Sequence, residues 1–418
     1  MSTQRIVVVG ASLAGLRACE ALRQDGFDGV ITLIGAEAEM PYDRPPLSKK
    51  VLAAEWEPDR IRLRKADDFA SLDLDLRLGV RAEALDTSAR TLALADGTTV
   101  GFDGLVIATA AAPRRLPNQP DSPAVVTLRT LAESLALRDR LGEGHRLVVI
   151  GAGFIGLEVA ATARQRGCEV AVLEGLAAPL VRGLGAELGT AVAGVHARNG
   201  VDVRCNVQVA GLAVQADGSV EVSLGDGSAL TADTVVVGIG VAPTLDWLAD
   251  SGLQLGDGIR CDATLNVGVP GVYAAGDCTR WPNGAFVGDD GGAGTAGPEE
   301  MRVEHWTNAS EQGAAAARNL LAELRGEQPE PFESVPFFWS DQFDSRIQFV
   351  GRAHGDDEVH MFSGDPATGP FAALYGYGGR LRGVLGVSSP KLVMPFRALL
   401  AAKASWLDAL DKAAQLTA

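Results

Sequence analysis

Two short glycine-containing segments have the residue types and the spacing that binding a pyrophosphate requires. The first is Gly10-Ala-Ser-Leu-Ala-Gly15 and the second is Gly151-Ala-Gly-Phe-Ile-Gly156. In each, β-branched residues precede the first glycine and an Ala-rich segment follows the last, which predicts a strand, a tight turn and a helix. Backbone N–H groups and the dipole at the N-terminus of such a helix favour a bound phosphate. Both segments therefore predict a dinucleotide site.

The two segments differ at the position that lies nearest the phosphates. Ser12 stands in the first segment where the second has Gly153, and a glycine there permits the closest approach of the backbone. The second fingerprint is therefore complete, whereas an ordinary strand-to-helix turn is an alternative for the first. We predict that the dinucleotide contacts are Gly10, Ser12, Ala14 and Gly15 in the first segment and Gly151, Gly153, Ile155 and Gly156 in the second.

An acidic residue follows the second strand of each predicted unit, where it can bind ribose hydroxyl groups. Glu37 comes after the apolar run 30–34, and Glu174 directly follows the run 170–173. The carboxylate of Glu174 would repel a 2′-phosphate. The repulsion energy is about 4 kcal/mol per unit charge at about 4 Å and an effective dielectric constant of about 20. Residues 175–177 contain no arginine, so NADH is predicted over NADPH. A solvated carboxylate at a strand end is the alternative.

The elements that must position these residues form two similar units. After each predicted helix come a second apolar run, a short hairpin with an Asp-Gly turn at residues 96–97 or 217–218, and a closing strand. This order is typical of a Rossmann unit. After about residue 327, aromatic residues cluster at 336–343, strand-like segments alternate with glycine turns, and a final helix is predicted near 399–415. The fold class is therefore α/β, with two Rossmann-like dinucleotide-binding domains and a C-terminal α+β domain.

Composition and charge argue against several other classes of protein. The net charge of −16 over 418 residues makes a nucleic-acid backbone a poor partner. The longest apolar runs fall short of the roughly 20 residues that a membrane span needs, and the N-terminus lacks the layout of a signal peptide, so a cytoplasmic protein is expected. The five cysteines lack the pair spacing of a zinc site or a redox-active dithiol. We therefore predict no bound metal.

Six further segments resemble one family of flavoproteins. They are Pro41-Tyr-Asp-Arg-Pro-Pro-Leu-Ser-Lys49, Leu128-Arg-Thr130, Val235-Val-Val-Gly-Ile-Gly-Val-Ala-Pro243, Tyr273-Ala-Ala-Gly-Asp277, Glu304-His-Trp-Thr-Asn-Ala309 and Phe338-Trp-Ser-Asp-Gln342. Over nearly its whole length the chain resembles the FAD-dependent ferredoxin reductases of bacterial oxygenase systems. This group includes putidaredoxin reductase and the reductases of biphenyl-type dioxygenases, within the pyridine nucleotide-disulfide oxidoreductase superfamily. The resemblance implies a glutathione-reductase-like fold with FAD at the first fingerprint and NADH at the second.

The same resemblance implies three domains. The FAD-binding domain comprises residues 1–113 and 237–322, and the NAD-binding domain comprises residues 114–236. The C-terminal α+β domain comprises residues 323–418. The first domain is predicted to be discontinuous because the motif at 273–277, which belongs chemically with FAD, lies far along the chain from the first fingerprint.

The resemblance also implies roles for individual side chains. Asp277 hydrogen-bonds the ribityl chain of FAD, and Arg129 contacts FAD. Arg44 and Lys49 lie along the cofactor, and Trp306 flanks the flavin near the nicotinamide. Beyond the two fingerprints and Glu174, the predicted cofactor contacts are Glu37, Arg44, Lys49, Ala82, Arg129, Gly238, Asp277 and Trp306.

Three residues are predicted to act in catalysis, namely Lys49, Glu158 and Trp306. A cation such as Lys49 close to flavin N5 would stabilise negative charge on the reduced flavin. Glu158, on the helix of the second fingerprint, is its predicted ion-pair partner. A solvated loop lysine is the alternative for Lys49, and a core aromatic residue is the alternative for Trp306.

The predicted reaction passes a hydride from NADH to N5 of FAD, and the two electrons then leave one at a time. The predicted acceptor is an iron–sulfur ferredoxin that serves a cytochrome P450 or a ring-hydroxylating oxygenase, and the protein is expected to be a monomer or a weak homodimer. Two alternatives stay open: an NADH oxidase or monodehydroascorbate-type reductase, and a flavoprotein like apoptosis-inducing factor with a non-enzymatic role. Peroxide-reducing and oxygen-reducing relatives carry a reactive cysteine near the position of Ser48, and the hydroxyl here argues against thiol chemistry.

Some positions depart from the family pattern. Ala36 stands where a carboxylate is common, so the ribose role falls on Glu37. Ala110 replaces the usual glycine, which predicts a slightly different turn. Residues 284–297 form a Gly/Asp-rich loop, within a run from 282 to 300 that is longer than the family's loop, and we expect a flexible excursion there. A candidate docking cluster, for which a solvated face is the alternative, comprises Arg60, Arg62, Arg64 and Lys65.

Overall fold

The structure of the protein is a computed structural model, and it describes residues 4–287 and 297–417. The α-helices are α1 Leu13–Gln24, α2 Ala66–Ala70, α3 Leu131–Arg138, α4 Phe154–Gln165, α5 Val181–Leu184, α6 Ala186–Arg198, α7 Trp306–Leu324, α8 Pro390–Val393, α9 Arg397–Ala401 and α10 Trp406–Thr417. The 3-10 helices are Pro45–Ser48, Pro58–Ile61, Asp246–Leu248, Gly276–Cys278 and Met394–Phe396. No helix in the described ranges combines the length and the apolar composition that crossing a bilayer requires.

The strands are numbered in chain order. The strands of the N-terminal half are β1 Arg5–Val9, β2 Val30–Gly35, β3 Leu74–Leu78, β4 Ala82–Asp86, β5 Thr91–Leu94, β6 Thr99–Gly101, β7 Gly104–Ile107, β8 Ala111–Pro113, β9 Val125–Val126, β10 Arg146–Ile150, β11 Glu169–Leu173, β12 Asp202–Arg204 and β13 Val209–Val214. The remaining strands are β14 Val220–Leu224, β15 Ala229–Ala232, β16 Thr234–Val237, β17 Val241–Pro243, β18 Leu255–Gly256, β19 Gly258–Arg260, β20 Val272–Ala274, β21 Thr279–Val287, β22 Pro298–Met301, β23 Phe337–Gln342, β24 Ser345–Gly351, β25 Glu358–Gly364, β26 Phe371–Tyr377 and β27 Arg380–Val387.

The chain divides into two compact units, each assembled from several segments. The first unit comprises Met1–Asp43, Arg62–Ala112 and Ala242–Pro336. The second comprises Arg44–Ile61, Pro113–Val241 and Phe337–Ala418. The second unit thus contains both the second fingerprint and the C-terminal segment. The boundaries predicted for three domains stay a prediction.

The first unit is built on a parallel sheet with the strand order β20-β7-β1-β2-β3. The central strand β1 is fully buried from Ile6 to Val9, which suits β-branched side chains on a sheet covered on both faces. Parallel pairing brings the carboxyl ends of β1, β2 and β20 to one edge of the sheet. Gly10, Glu37 and Asp277 follow these three strands in sequence. All three residues therefore come after strand ends that lie at the same edge of the sheet.

Helices α1 and α7 of the first unit pack closely because the contact is made by small residues. A Cβ atom at Gly313 in α7 would lie 2.1 Å from the carbonyl oxygen of Ala14 in α1. The buried face of α1 is formed by Leu16, Cys19 and Leu22. This approach of the two backbones fixes the start of α7 relative to the first fingerprint.

The second unit contains a parallel sheet with the equivalent order β12-β11-β10-β16-β9 and an antiparallel sheet with the order β23-β24-β27-β26-β25. One apolar core joins Val159 and Leu184 of the Rossmann part to Phe349 and Leu385 of the antiparallel sheet. The hydroxyl of Tyr375 donates a 2.7 Å hydrogen bond to the Leu184 carbonyl oxygen within this core. The predicted fold class, with two Rossmann-like domains and a C-terminal α+β domain, is confirmed.

Local predictions were met at the hairpins and missed near the end of the chain. Asp96 and Asp217 each hydrogen-bond the backbone two residues on, in the turns before β6 and β14. The final helix predicted near 399–415 is present as α10, but its predicted start is wrong, since residues 402–405 separate α10 from α9. Lys403 has a φ of +54°, and the Ala404 carbonyl oxygen accepts a hydrogen bond from the Leu381 backbone N–H. This hydrogen bond to β27 takes the place of the helical hydrogen bonds that would join α9 and α10 into one helix.

The predicted loop at 284–297 is also partly wrong. Strand β21 continues to Val287 and pairs with β22, so residues 284–287 belong to a strand. Residues 288–296 lie outside the described part of the chain, and so does the excursion predicted there.

The turn after β7 contains a strained residue. Ala110 adopts a φ of +60°, in the left-handed region that favours glycine. The turn therefore has a glycine-like conformation although the residue is alanine, and the predicted difference from the family's turn stays a prediction. We expect Ala110→Gly to stabilise the protein by about 0.5–1 kcal/mol, because relief of left-handed strain exceeds the added entropy of glycine.

Thermal unfolding measures this effect as a midpoint that rises by about 1–3 °C. Ala112→Gly is the matched control, since this exposed alanine has no positive φ. It should leave the midpoint unchanged or lower it. An equal rise in both variants would contradict the strain at Ala110.

Candidate functional site

The first fingerprint is a backbone cradle at the start of α1. Gly10 has a φ of +118°, and a Cβ atom there would lie 2.0 Å from the carbonyl oxygen of Ala108. A Cβ atom at Gly15 would lie 1.9 Å from the carbonyl oxygen of Gly10. Both positions therefore require glycine. Ser12 caps the N-terminus of α1 in an extended conformation, where backbone N–H groups of the first turn are available to an anion.

The second fingerprint repeats this geometry at the start of α4. Gly151 has a φ of +101°, and its Cβ atom would lie 2.4 Å from the carbonyl oxygen of Gly238. A Cβ atom at Gly156 would lie 2.2 Å from the Gly151 carbonyl oxygen. Gly153 differs, since its Cβ atom would meet no atom closer than 4.0 Å. The fold does not require glycine at position 153, which fits a ligand that approaches the backbone there. Ile155, also predicted to be a contact, is 48% exposed.

Glu174 is held at the carboxyl end of β11 by backbone amides. Its Oε2 accepts a 2.8 Å hydrogen bond from the N–H of Ala152, inside the second fingerprint, and its Oε1 accepts one of 2.9 Å from the N–H of Leu176. The nearby guanidinium of Arg204 is paired with Asp202 at 2.6 Å. The carboxylate thus lies next to the turn of the second fingerprint, a position that suits the predicted ribose contact.

Glu37 occupies the corresponding edge of the first unit with a different partner. The hydroxyl of Tyr42 donates a 2.5 Å hydrogen bond to Glu37 Oε2. Ala36 is exposed directly after β2, at the place that Glu174 takes after β11. Tyr42 was not identified from the sequence as part of the site, although it lies within the quoted segment 41–49.

The surroundings of Asp277 contain buried polar atoms that suit a polar ligand. Asp277 lies in the 3-10 helix Gly276–Cys278 that follows β20. Gln312 Oε1 accepts a 2.8 Å hydrogen bond from the Gly276 N–H, while Gln312 Nε2 and Asn308 Oδ1 are buried without a hydrogen-bond partner in the described residues. Such atoms are costly unless a ligand or water satisfies them. With the glycine cradle, these residues fit a dinucleotide such as FAD.

Trp306 begins α7 directly after His305, the half-buried N-cap residue of this helix. Its Nε1 donates a 2.7 Å hydrogen bond to Asp43 Oδ1. Burial lowers the pKa of His305 to about 4, against the opposing effect of the nearby Asp277 charge. His305 is therefore neutral at pH 7. Gln312 and Asn308 were missed from the sequence because a buried polar residue in an Ala-rich helix has no diagnostic spacing. His305, the N-cap residue of α7, was missed although it lies within the segment 304–309.

In the second unit, Lys49 and Glu158 form the ion pair predicted from the sequence. Lys49 Nζ lies 2.7 Å from Glu158 Oε2, and the two side chains are 14% and 3% exposed. Glu158 also accepts hydrogen bonds from the Ser48 hydroxyl at 2.5 Å and the Ser340 hydroxyl at 2.6 Å. Thr162 donates to the Ser48 carbonyl oxygen at 2.8 Å and so ties this segment to α4. The catalytic role of the pair stays a prediction.

Family models match nearly the whole chain. The pyridine nucleotide-disulphide oxidoreductase model matches residues 4–313, and a model described as reductase C-terminal matches residues 337–417. The chain belongs to the pyridine nucleotide-disulphide oxidoreductase family. The resemblance indicated by the sequence motifs is thereby confirmed.

Individual members of this family are similar over almost their full length. A ferredoxin–NAD(P)+ reductase of Sphingomonas sp. is 36% identical, covering 96% of this chain and 93% of the relative. The ferredoxin–NAD+ reductase component of the anthranilate 1,2-dioxygenase system of Burkholderia cepacia is 38% identical, covering 91% and 89%. The crystal structure of a covalent putidaredoxin reductase–putidaredoxin complex contains a chain that superimposes with a TM-score of 0.88, at 32% identity, covering 96% of this chain and 93% of that one.

Despite the family's name, the thiols of this member are poorly suited to disulfide exchange. All five cysteines lie in the described residues and are free. Burial raises the pKa of the Cys19 thiol in α1 to about 12, so this thiol is protonated at neutral pH. The position of Ser48 carries a hydroxyl that is already bonded to Glu158. Thiol chemistry therefore has no support at either position.

The remaining predicted contacts fall in different units. Arg44 and Arg129 lie in the second unit, where the Arg44 guanidinium donates a 2.6 Å hydrogen bond to the Arg129 carbonyl oxygen. Arg129 directly precedes Thr130, which caps α3. Ala82 is buried at the start of β4 in the first unit. The roles of these residues and of Lys49 towards FAD stay predictions.

Because the fold leaves room for a side chain at Gly153, a substitution there can test nucleotide binding without disturbing folding. We expect Gly153→Ala to leave the thermal unfolding midpoint unchanged, because its Cβ atom has room. The dissociation constant for NADH should rise about tenfold or more, because a methyl group there blocks the close approach of the pyrophosphate.

Fluorescence titration with NADH measures the affinity, and Gly151→Ala serves as the contrasting variant. Its left-handed φ and close carbonyl contact should make it strongly destabilised. Unchanged NADH affinity in a well-folded Gly153→Ala protein would show that the dinucleotide does not bind at this turn.

Proposed function

We propose that the protein is an FAD-containing, NADH-dependent ferredoxin reductase that serves a cytochrome P450 or a ring-hydroxylating oxygenase. The observation that carries this proposal is the pair of glycine cradles of equivalent geometry at the starts of α1 and α4. One chain thereby offers a site for a resident cofactor and a site for an exchanging one. The full-length similarity to ferredoxin reductases of oxygenase systems supports the choice of acceptor.

The overall reaction converts NADH and two oxidised ferredoxins into NAD+, two reduced ferredoxins and one proton. Bound FAD supplies the step between hydride transfer and single-electron transfer. Gly10, Gly15 and the start of α1 would hold its pyrophosphate, and Asp277, with Gln312 and Asn308, would bind its polar chain. Trp306, Lys49 and Glu158 are the proposed catalytic residues.

The proposed roles of the protein in this reaction are binding and charge placement. The ammonium of Lys49 is fixed by a buried carboxylate, and therefore offers a positive charge at a defined position. Glu174 selects NADH because a fixed carboxylate repels a 2′-phosphate. The three domains with the boundaries given above are part of this proposal.

A cytoplasmic location belongs to the proposal as well, because NADH is a cytoplasmic electron donor. Cell fractionation tests it, since activity recovered mainly outside the cytoplasmic fraction would contradict this location.

A direct assay distinguishes a ferredoxin reductase from an oxidase or a non-enzymatic flavoprotein. The purified protein should be yellow, and NADH-driven reduction of cytochrome c should rise about tenfold or more when a suitable [2Fe–2S] ferredoxin is added. A panel of such ferredoxins identifies the partner. Rapid NADH consumption with oxygen or peroxide, without stimulation by any ferredoxin, would favour the oxidase instead. A protein that takes up no flavin would contradict the proposal altogether.

Coenzyme choice provides a second prediction. We expect Glu174→Arg to raise the ratio of kcat/KM for NADPH over NADH by about tenfold or more, because it replaces repulsion of the 2′-phosphate with attraction. Steady-state kinetics with both coenzymes measure this ratio.

Glu169→Arg is the matched control, since it reverses the same charge at the exposed opposite end of β11. The control should keep the wild-type ratio. If Glu174→Arg folds normally and also keeps it, Glu174 is not the residue that selects the coenzyme.

A further inference from the structure

A chain of buried polar side chains leads from the Lys49–Glu158 ion pair into the C-terminal part of the second unit. The Ser340 hydroxyl lies 2.6 Å from Glu158 Oε1, and Gln342 Nε2 lies 3.0 Å from Ser340 Oγ. Gln342 Oε1 in turn lies 2.8 Å from His196 Nε2. Glu158, Ser340, Gln342 and His196 are each at most 2% exposed. Water therefore does not compete for these contacts.

The donors along this chain have only one consistent direction. An ionised carboxylate only accepts hydrogen bonds, so Ser340 must donate its single hydroxyl proton to Glu158. Gln342 must then donate its amide N–H to Ser340, which leaves its carbonyl oxygen facing His196. His196 Nε2 must be the donor in that contact. Burial lowers the pKa of His196, so the ring is neutral and Nδ1 carries no proton. Every hydrogen bond in the chain is donated in the direction of the carboxylate, an arrangement that stabilises its charge.

The two oxygens of Glu158 are held from different parts of the chain. Oε2 accepts from Ser48 and Lys49, which belong to the segment 44–61. Oε1 accepts from Ser340, which belongs to β23. A carboxylate held at one oxygen can rotate, whereas donors on both oxygens fix its plane. The position of the Lys49 ammonium depends on that plane.

We propose that Ser340 is a positioning residue that fixes the Glu158 carboxylate and, through it, the ammonium of Lys49. Strand β23, in the C-terminal part of the second unit, thereby takes part in preparing the reductase for reaction with NADH. The kinetic consequence rests on the proposed function, whereas the effect on Lys49 itself does not.

The first test reads the state of Lys49 without any turnover. The full-length purified protein is treated with limiting acetic anhydride, and acetylation of Lys49 is measured by mass spectrometry relative to Lys50, whose side chain is 50% exposed. In Ser340→Ala the Lys49/Lys50 labelling ratio should rise about tenfold, because the lysine loses a fixed counter-charge. Ser340→Cys, which keeps the volume but donates weakly, should give an intermediate value. Ser345→Ala, in the same hairpin, is the control and should match the wild type.

The second test follows reduction of the bound flavin by NADH in a stopped-flow instrument. In Ser340→Ala the limiting rate should fall about tenfold while the dissociation constant for NADH stays within about twofold, since the substitution affects the reacting arrangement and not nucleotide binding. If Ser340→Ala does not fold, Gln342→Met removes the donor to Ser340 at similar volume. It should shift both readouts in the same direction by a smaller factor.

The outcomes separate this inference from the proposed function. Wild-type labelling ratios and limiting rates in folded Ser340→Ala would overturn the positioning role, and so would equal changes in Ser345→Ala. A wild-type protein that binds no flavin or does not react with NADH would instead overturn the proposed function. The labelling ratio would still decide whether Ser340 holds Lys49.

Discussion

The approach of one backbone carbonyl to the first glycine of each fingerprint is the constraint on which both predicted dinucleotide sites depend. After β7 and β16, the carbonyl oxygens of Ala108 and Gly238 occupy the space that a side chain at Gly10 or Gly151 would need. This contact sets the direction in which the chain leaves the central strand of each sheet, and hence where α1 and α4 begin. The N–H groups at these helix starts are therefore fixed by backbone packing. Both sheets have the same strand order, so the constraint arises twice.

The buried charge of Glu158 imposes a second constraint, on side chains. Breaking a buried ion pair typically costs about 3–5 kcal/mol, because the remaining charge is left without compensation. The segment that carries Ser48 and Lys49 is therefore held to α4 by more than loop packing, and Thr162 adds a hydrogen bond to its backbone. Segment 44–61 accordingly belongs to the second unit, although its neighbours in sequence belong to the first.

The parts of the structure that the sequence predicted are those with a local physical signature. Glycine spacing, β-branched runs and Asp-Gly turns act within about 30 residues, and they located both fingerprints and both hairpins. The position of Lys49 along the cofactor came from the family resemblance, and its pairing with Glu158 was predicted from their opposite charges. Ser340 lies 182 residues from Glu158 in sequence, and no local pattern links them. The break between α9 and α10 has a similar origin. It results from a hydrogen bond between the segment 402–405 and β27, and the helical pattern of apolar residues gives no sign of this contact.

A fold that hosts several redox reactions must be assigned to one of them by its side chains. The position of Ser48 shows how. A cysteine there could accept electrons and form a covalent intermediate, whereas the Ser48 hydroxyl donates to Glu158 at 2.5 Å and has no such chemistry. The buried Cys19 thiol is protonated and is equally unsuited. In the proposed function, electrons from NADH therefore leave through the cofactor to an external acceptor, and the residue at position 48 serves to hold the charge of Glu158 instead of carrying electrons itself.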